Sequence, residues 1–122
     1  MKIVVTSYGE GLSAKFDRSF GRARWFVCVD TDTGAVEARS NVQNIDAPQG
    51  AGIQAAKNVS EMGAGAILTG NVGPNAYRTM KAAGIEVFVV GKECETVEDA
   101  LAAWKAGKAE VISEPTVEGH WV

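Results

Sequence analysis

The chain has 122 residues, of which 46% are hydrophobic and 22% charged, with a formal net charge of −3. That length suits one domain, and the apolar fraction is too high for a disordered chain. The acidic balance argues against a nucleic-acid binder with a broad basic surface, and no stretch approaches the ~18 apolar residues of a membrane span.

The chain opens Met1-Lys2 and enters the apolar run Ile3-Val4-Val5, which is too short for a signal core. Its two cysteines, Cys28 and Cys94, have no framework spacing, as expected of a reduced protein. The expected location is cytoplasmic.

The first strand reads Lys2-Ile3-Val4-Val5-Thr6, apolar without alternation, the pattern of a central strand covered on both faces. Residues 7–23 form a long irregular connection, a length that marks functional loops. From Arg24 the pattern becomes that of a strand, with Trp25, Val27 and Val29 alternating against Phe26, Cys28 and Asp30. Thr31-Asp32-Thr33-Gly34 is turn chemistry, with Gly34 suited to positive φ. Val36, Ala38 and Ser40 then alternate with Glu37, Arg39 and Asn41, and the polar face identifies an edge strand.

Three helices and two short strands follow. A helix over 51–62 carries Ile53, Ala56, Val59 and Met62 on one face and stops at Gly63. Ala66-Ile67-Leu68-Thr69 is a buried strand, a second helix starts at Pro74 and stops at Gly84, and residues 86–90 form another strand. The third helix opens at Thr96 with Asp99 in capping-box spacing, and it closes at Gly107. The order β–β–β–α–β–α–β–α implies an α/β fold. With right-handed crossovers the sheet is five-stranded and mixed, of order 3-2-1-4-5, with the second strand antiparallel. Residues 1–113 make a single domain, and 114–122 are expected to be a loosely structured tail.

In such a sheet the first and fourth strands are parallel neighbours, and ligands favour the crevice at their carboxyl ends. Two segments meet there. Thr69-Gly70-Asn71-Val72-Gly73-Pro74-Asn75 leads into a helix start, where glycines permit close backbone approach and free N–H groups attract anions. The other is the loop holding Lys15, Arg18, Arg22 and Arg24 against the single acid Asp17. Guanidinium forks suit anions, so the two segments suggest an anion pocket. Taken alone, each also reads as ordinary turn geometry or a solvated loop.

Other motifs carry less. Gly50-Ala51-Gly52-Ile53-Gln54-Ala55 has the letters of a dinucleotide fingerprint but does not follow a first strand. No C-x-x-C or paired His fixes a tetrahedral metal site. Cys28 reads as a core residue. Cys94, expected to be exposed at the crevice end, is the one candidate metal ligand, blunted by Glu93 and Glu95. His120 reads as a tail residue. No triad or acid/base pair can be assembled, so no catalytic residue is expected.

Three stretches resemble the dinitrogenase iron–molybdenum cofactor biosynthesis family, which includes nitrogenase accessory factors. They are Phe16-Asp17-Arg18-Ser19-Phe20-Gly21-Arg22-Ala23, then Thr69-Gly70-Asn71-Val72-Gly73-Pro74-Asn75-Ala76, then Ala83-Gly84-Ile85-Glu86-Val87. The resemblance implies a ribonuclease H-like motif and the binding or carrying of an iron–sulfur or molybdenum-containing cluster. It implies cluster donor and acceptor proteins as partners, with no nucleic acid and no membrane. The chain itself is expected to be a monomer or weak homodimer. Carried over by position, Arg18, Gly21, Arg22, Gly70, Asn71, Gly73 and Asn75 frame the pocket. Residues 44–54, where some relatives carry His or Cys, have neither here. The alternatives are a metal-free regulatory or interaction module and an enzyme acting on a small anion.

Overall fold

A computed structural model describes residues 1–42 and 50–116. The elements in chain order are β1 (Lys2–Ser7), β2 (Trp25–Asp30), β3 (Val36–Ser40), α1 (Ala51–Glu61), β4 (Ala66–Thr69), α2 (Pro74–Ala82), β5 (Glu86–Val89), α3 (Val97–Lys105) and β6 (Glu110–Val111). They form one mixed sheet of order β3-β2-β1-β4-β5-β6. β1 runs parallel to β4 and antiparallel to β2, and β4 runs parallel to β5.

The sheet therefore has six strands, not five. The sixth pairs Val111 with Phe88 and Glu110 with Val89, antiparallel on the outer edge of β5. Two exposed residues offer no periodicity to read, and only the free edge of β5 makes them a strand.

Strand alternation separates two cores. Val4, Phe26, Ile67 and Val87 face α1 and α2, where Val59, Met80 and Phe20 complete the packing. Ile3, Val5, Val27 and Leu68 face α3, packed by Val97, Leu101 and Phe16. Such burial contributes roughly 1.5–3 kcal/mol for each large side chain removed from water. Trp104 on α3 is only half-buried and meets Phe88 edge-on, with ring centroids 6.5 Å apart.

Local signals set the element ends. Gly34 turns the β2–β3 hairpin at φ 78°, and α2 gives way to Gly84 at φ 78°. At α3, Thr96 accepts the Asp99 N–H while the Asp99 carboxylate accepts the Thr96 N–H, a complete capping box. Of the tail expected after Ser113, residues 117–122 lie outside the described residues, and the Thr116 N–H donates to the Val72 carbonyl at 3.0 Å. Its Oγ1 accepts the Val72 N–H at 2.8 Å. His120 lies outside the described residues.

Candidate functional site: a cleft at the carboxyl ends of the parallel strands

β1 ends at Ser7, β4 at Thr69 and β5 at Val89, all on one side of the sheet. The chain between Lys15 and Phe20 closes the floor of the crevice between them. Thr6 and Thr69, both buried, lie with their hydroxyls 2.9 Å apart, and Thr6 Oγ1 also reaches the Asp17 carbonyl. The Asp17 N–H donates back to the Thr6 carbonyl at 3.0 Å, and the Phe20 N–H donates to the Asn71 carbonyl at 3.2 Å. Phe16 enters the α3 core while Phe20 enters the α1/α2 core. The basic segment is thus not a solvent-facing loop. It is anchored across the sheet end by one aromatic side chain in each core.

Above this floor opens a cleft of about 730 Å³, with Lys15, Arg18, Asn71, Lys92, Cys94 and Tyr8 among its walls. The Arg18 guanidinium donates to the Val90 carbonyl at 3.2 Å, which holds it at the carboxyl end of β5. Lys15 lies over the exposed Tyr8 ring at 5.4 Å from its centroid, a cation–π contact. Asp17 and Glu95 are the acids in the lining. Burial pushes the Asp17 carboxyl above its usual range, against the opposing pull of the Ser19 and Arg24 N–H groups. Its Oδ1 is occupied by the Ser19 N–H at 2.9 Å.

The residues proposed from sequence divide between two places. Arg18, Asn71 and Cys94 line the cleft. Gly70 lies beneath it, where an added Cβ would fall 2.6 Å from Arg18 Cβ and 2.8 Å from the Arg18 carbonyl oxygen. That oxygen accepts both the Gly70 and Asn71 N–H groups, at 3.1 and 2.7 Å. The turn thus spends two of its amides on Arg18, and the close approach that glycine permits there is to chain, not ligand.

The others sit by the helix starts. Gly21 packs on the first turn of α1, where an added Cβ would fall 3.2 Å from Gly52 Cα. Its carbonyl accepts from buried Asn41 at 3.2 Å. Gly73 precedes α2 in extended backbone, without a side-chain cap. Asn75 is exposed and engages Arg78 and Thr79 on its own helix. Arg22 is half-buried and is not in the cleft lining.

Cys94 corrects an expectation of exposure: it is buried, at 8% relative accessibility. Burial pushes its thiol up, Glu93 and Asp99 add to this, and Arg18 opposes them. Its sulfur lies 3.8 Å from the Asp99 carbonyl. Cys28 is a core residue, and both cysteines are free. Among the described residues, no three His, Cys, Asp or Glu cluster in a way that could hold a metal ion, and no helix is long and apolar enough to cross a membrane. Lys92 escaped the sequence reading. The signal was its place just after β5, in the turn that also carries Cys94.

Comparison with known proteins gives consistent relatives. The apo form of the orange protein from Desulfovibrio gigas superposes with a TM-score of 0.88 at 39% identity, covering 95% of this chain and 96% of that one. A candidate NifB protein from Thermotoga gives 0.83 at 32% identity, over 97% and 98% of the two chains. An uncharacterised Methanocaldococcus jannaschii protein is 28% identical over 93 residues, covering 75% of this chain and 77% of its own. The family model for dinitrogenase iron-molybdenum cofactor proteins matches residues 1–107, and the chain belongs to that family.

Proposed function

We propose that this protein holds an anionic metal–sulfur cluster, or an iron–molybdenum-type cofactor precursor, in the cleft at the carboxyl ends of β1, β4 and β5. It passes that cargo between donor and acceptor proteins without transforming it. The observation that carries the reading is the placing of Lys15, Arg18 and Lys92 around one cleft of about 730 Å³ in a chain whose net charge is −3. Clefts of roughly 300–1,000 Å³ suit compact ligands. Asn71 adds a side-chain amide as a further donor. Family membership and the likeness to the orange protein in its apo form support a cargo of this class. The reading also takes the fold as a ribonuclease H-like motif and the location as cytoplasmic.

The donor set favours holding by charge and hydrogen bonds. Cys94 supplies one soft atom, buried and kept protonated by its surroundings, so it serves as a secondary contact. Arg18 is the central anchor, because its backbone is fixed by the Gly70 and Asn71 amides while its guanidinium is aimed by Val90. A preorganised guanidinium loses little freedom on binding an anion.

The test is anaerobic titration with tetrathiomolybdate and with an iron–sulfur cluster source, followed by desalting, visible absorption and metal analysis. The expected result is retained, stoichiometric metal. Arg18→Ala with Lys92→Ala should lose about tenfold or more in affinity, as expected when charged contacts are removed. Cys94→Ser should leave retention nearly intact. No retention with either source would overturn the proposal, and a loss confined to Cys94→Ser would replace charge by thiolate ligation.

A further inference from the structure

β3 ends the sheet, and among the described residues its sole strand partner is β2. Two hydrogen bonds at the ends of this ladder set its phase: Asp30 N–H to the Ala35 carbonyl at 2.9 Å, and Asn41 N–H to the Arg24 carbonyl at 2.8 Å. In an antiparallel ladder hydrogen-bonded pairs alternate with non-bonded ones. Ala35, Glu37, Arg39 and Asn41 therefore direct their backbone groups to β2. Val36, Ala38 and Ser40 direct theirs away from the sheet. Such a row of unpaired donors and acceptors is a template for another strand, and no proline interrupts it.

We propose that this edge pairs with β3 of a second copy of the chain, antiparallel, about a two-fold axis at Ala38. In that register Ala38 faces its own equivalent, and Val36 faces Ser40 of the second copy, so every outward backbone group finds its complement. Glu37 falls opposite Arg39 of the second copy in the non-bonded pairs, where side chains approach most closely. The two-fold axis makes this ion pair twice. The neighbouring centres are unfavourable, since an axis at Glu37 sets two carboxylates face to face and an axis at Arg39 sets two guanidiniums. The charge pattern of Val36-Glu37-Ala38-Arg39-Ser40 thus selects one register.

The residues are available for it. Glu37 is exposed and makes no ion pair among the described residues. Arg39 meets Glu61 of α1 at 3.3 Å, but both side chains are exposed, and such pairs hold weakly. Val36, 43% exposed, would gain cover from the neighbouring strand. The cleft lies by β1, β4 and β5, away from this edge, so the association and the cluster reading stand or fall separately.

The test is sedimentation velocity on the purified chain from ~10 μM to about 1 mM, a range that captures weak association. A concentration-dependent dimer is expected. Glu37→Arg alone and Arg39→Glu alone should each weaken it by about tenfold or more, since like charges then face each other. An equimolar mixture of these two variants should restore it, because each strand then meets the opposite charge. Ala38→Pro should abolish it while leaving the monomer folded, because that N–H points away from β2. A monomer throughout the range would overturn the proposal, as would a dimer indifferent to both charge reversals.

Discussion

Two strand-to-helix turns at the same end of the sheet are held in different ways. The turn before α3 carries its own cap: Thr96 and Asp99 cap each other, Glu98 and Asp99 place negative charge at the helix start, and the Val97 and Glu98 N–H groups donate to the Ala14 and Leu12 carbonyls. The turn before α2 has no side-chain cap and no acid in its first turn, and Pro74 occupies its first position. Its amides are taken up from elsewhere in the chain, by the Arg18 carbonyl for Gly70 and Asn71 and by Thr116 for Val72. Both turns lean on the loop after β1, but only the turn before α3 also has a side-chain cap of its own. The uncapped turn fixes the Arg18 backbone at its base and is suited to presenting a cation, whereas the capped turn secures the start of α3 and the chain from Leu12 to Phe16 beside it.

The largest break in this comparison comes at Gly70. Gly70→Ala drives a methyl into the backbone of Arg18, which cannot move without unpicking the Thr6–Asp17 contacts. A loss of about 3 kcal/mol in urea denaturation is expected, the upper end of ordinary overpacking costs. It should be accompanied by loss of cluster retention. Thr96→Ala tests the other turn, where removing the cap should cost about 1 kcal/mol and, with Thr96 a neutral residue of the cleft lining, should lower retention far less than Gly70→Ala. If Thr96→Ala harmed retention as much as Gly70→Ala, the division between a presenting turn and a starting turn would fail.

The smallest effect is a pH dependence of opposite sign in two carboxylates. Burial raises the Asp17 pKa, so the folded state binds this proton more tightly than the unfolded chain does. Its contribution to stability is therefore lost as pH rises from the ordinary carboxylate range through the raised folded value. Asp99 is held below its usual range by the Glu95 and Thr96 N–H groups. Its contribution is present above the ordinary carboxylate pKa and lost as pH falls through the folded value. Urea midpoints across this range should show Asp17→Asn flattening the fall toward neutral pH and Asp99→Asn flattening the fall toward acid. A midpoint profile unchanged by both would remove the contrast.

Much of this was legible in the residues. The central strand, the Thr96–Asp99 box, the glycine stops of the helices and the β3-β2-β1-β4-β5 order all rest on periodicity, caps and crossover handedness, which act over a few residues. The crevice and the placing of Arg18 and Asn71 at its edge followed from that order. What failed were the strand count and statements about exposure. Cys94 is buried because Leu101, Val97 and Phe16 share its cluster, and no local pattern encodes that. The basic loop was read from its charges, while its two phenylalanines decide how it is held.

Sequence by itself determined every element but the last strand, their order and the family, because hydrophobic period, capping and turn chemistry are properties of neighbouring residues. Only the tertiary structure decided that Gly70 serves Arg18, that Glu110–Val111 is a sixth strand, and that Thr116 ties to Val72. It also decided that Lys92 shares a cleft with Arg18 while Gly21 and Asn75 stand apart from it. Each of these is a contact between residues far apart in the chain, and which distant surfaces meet depends on the packing of both cores together.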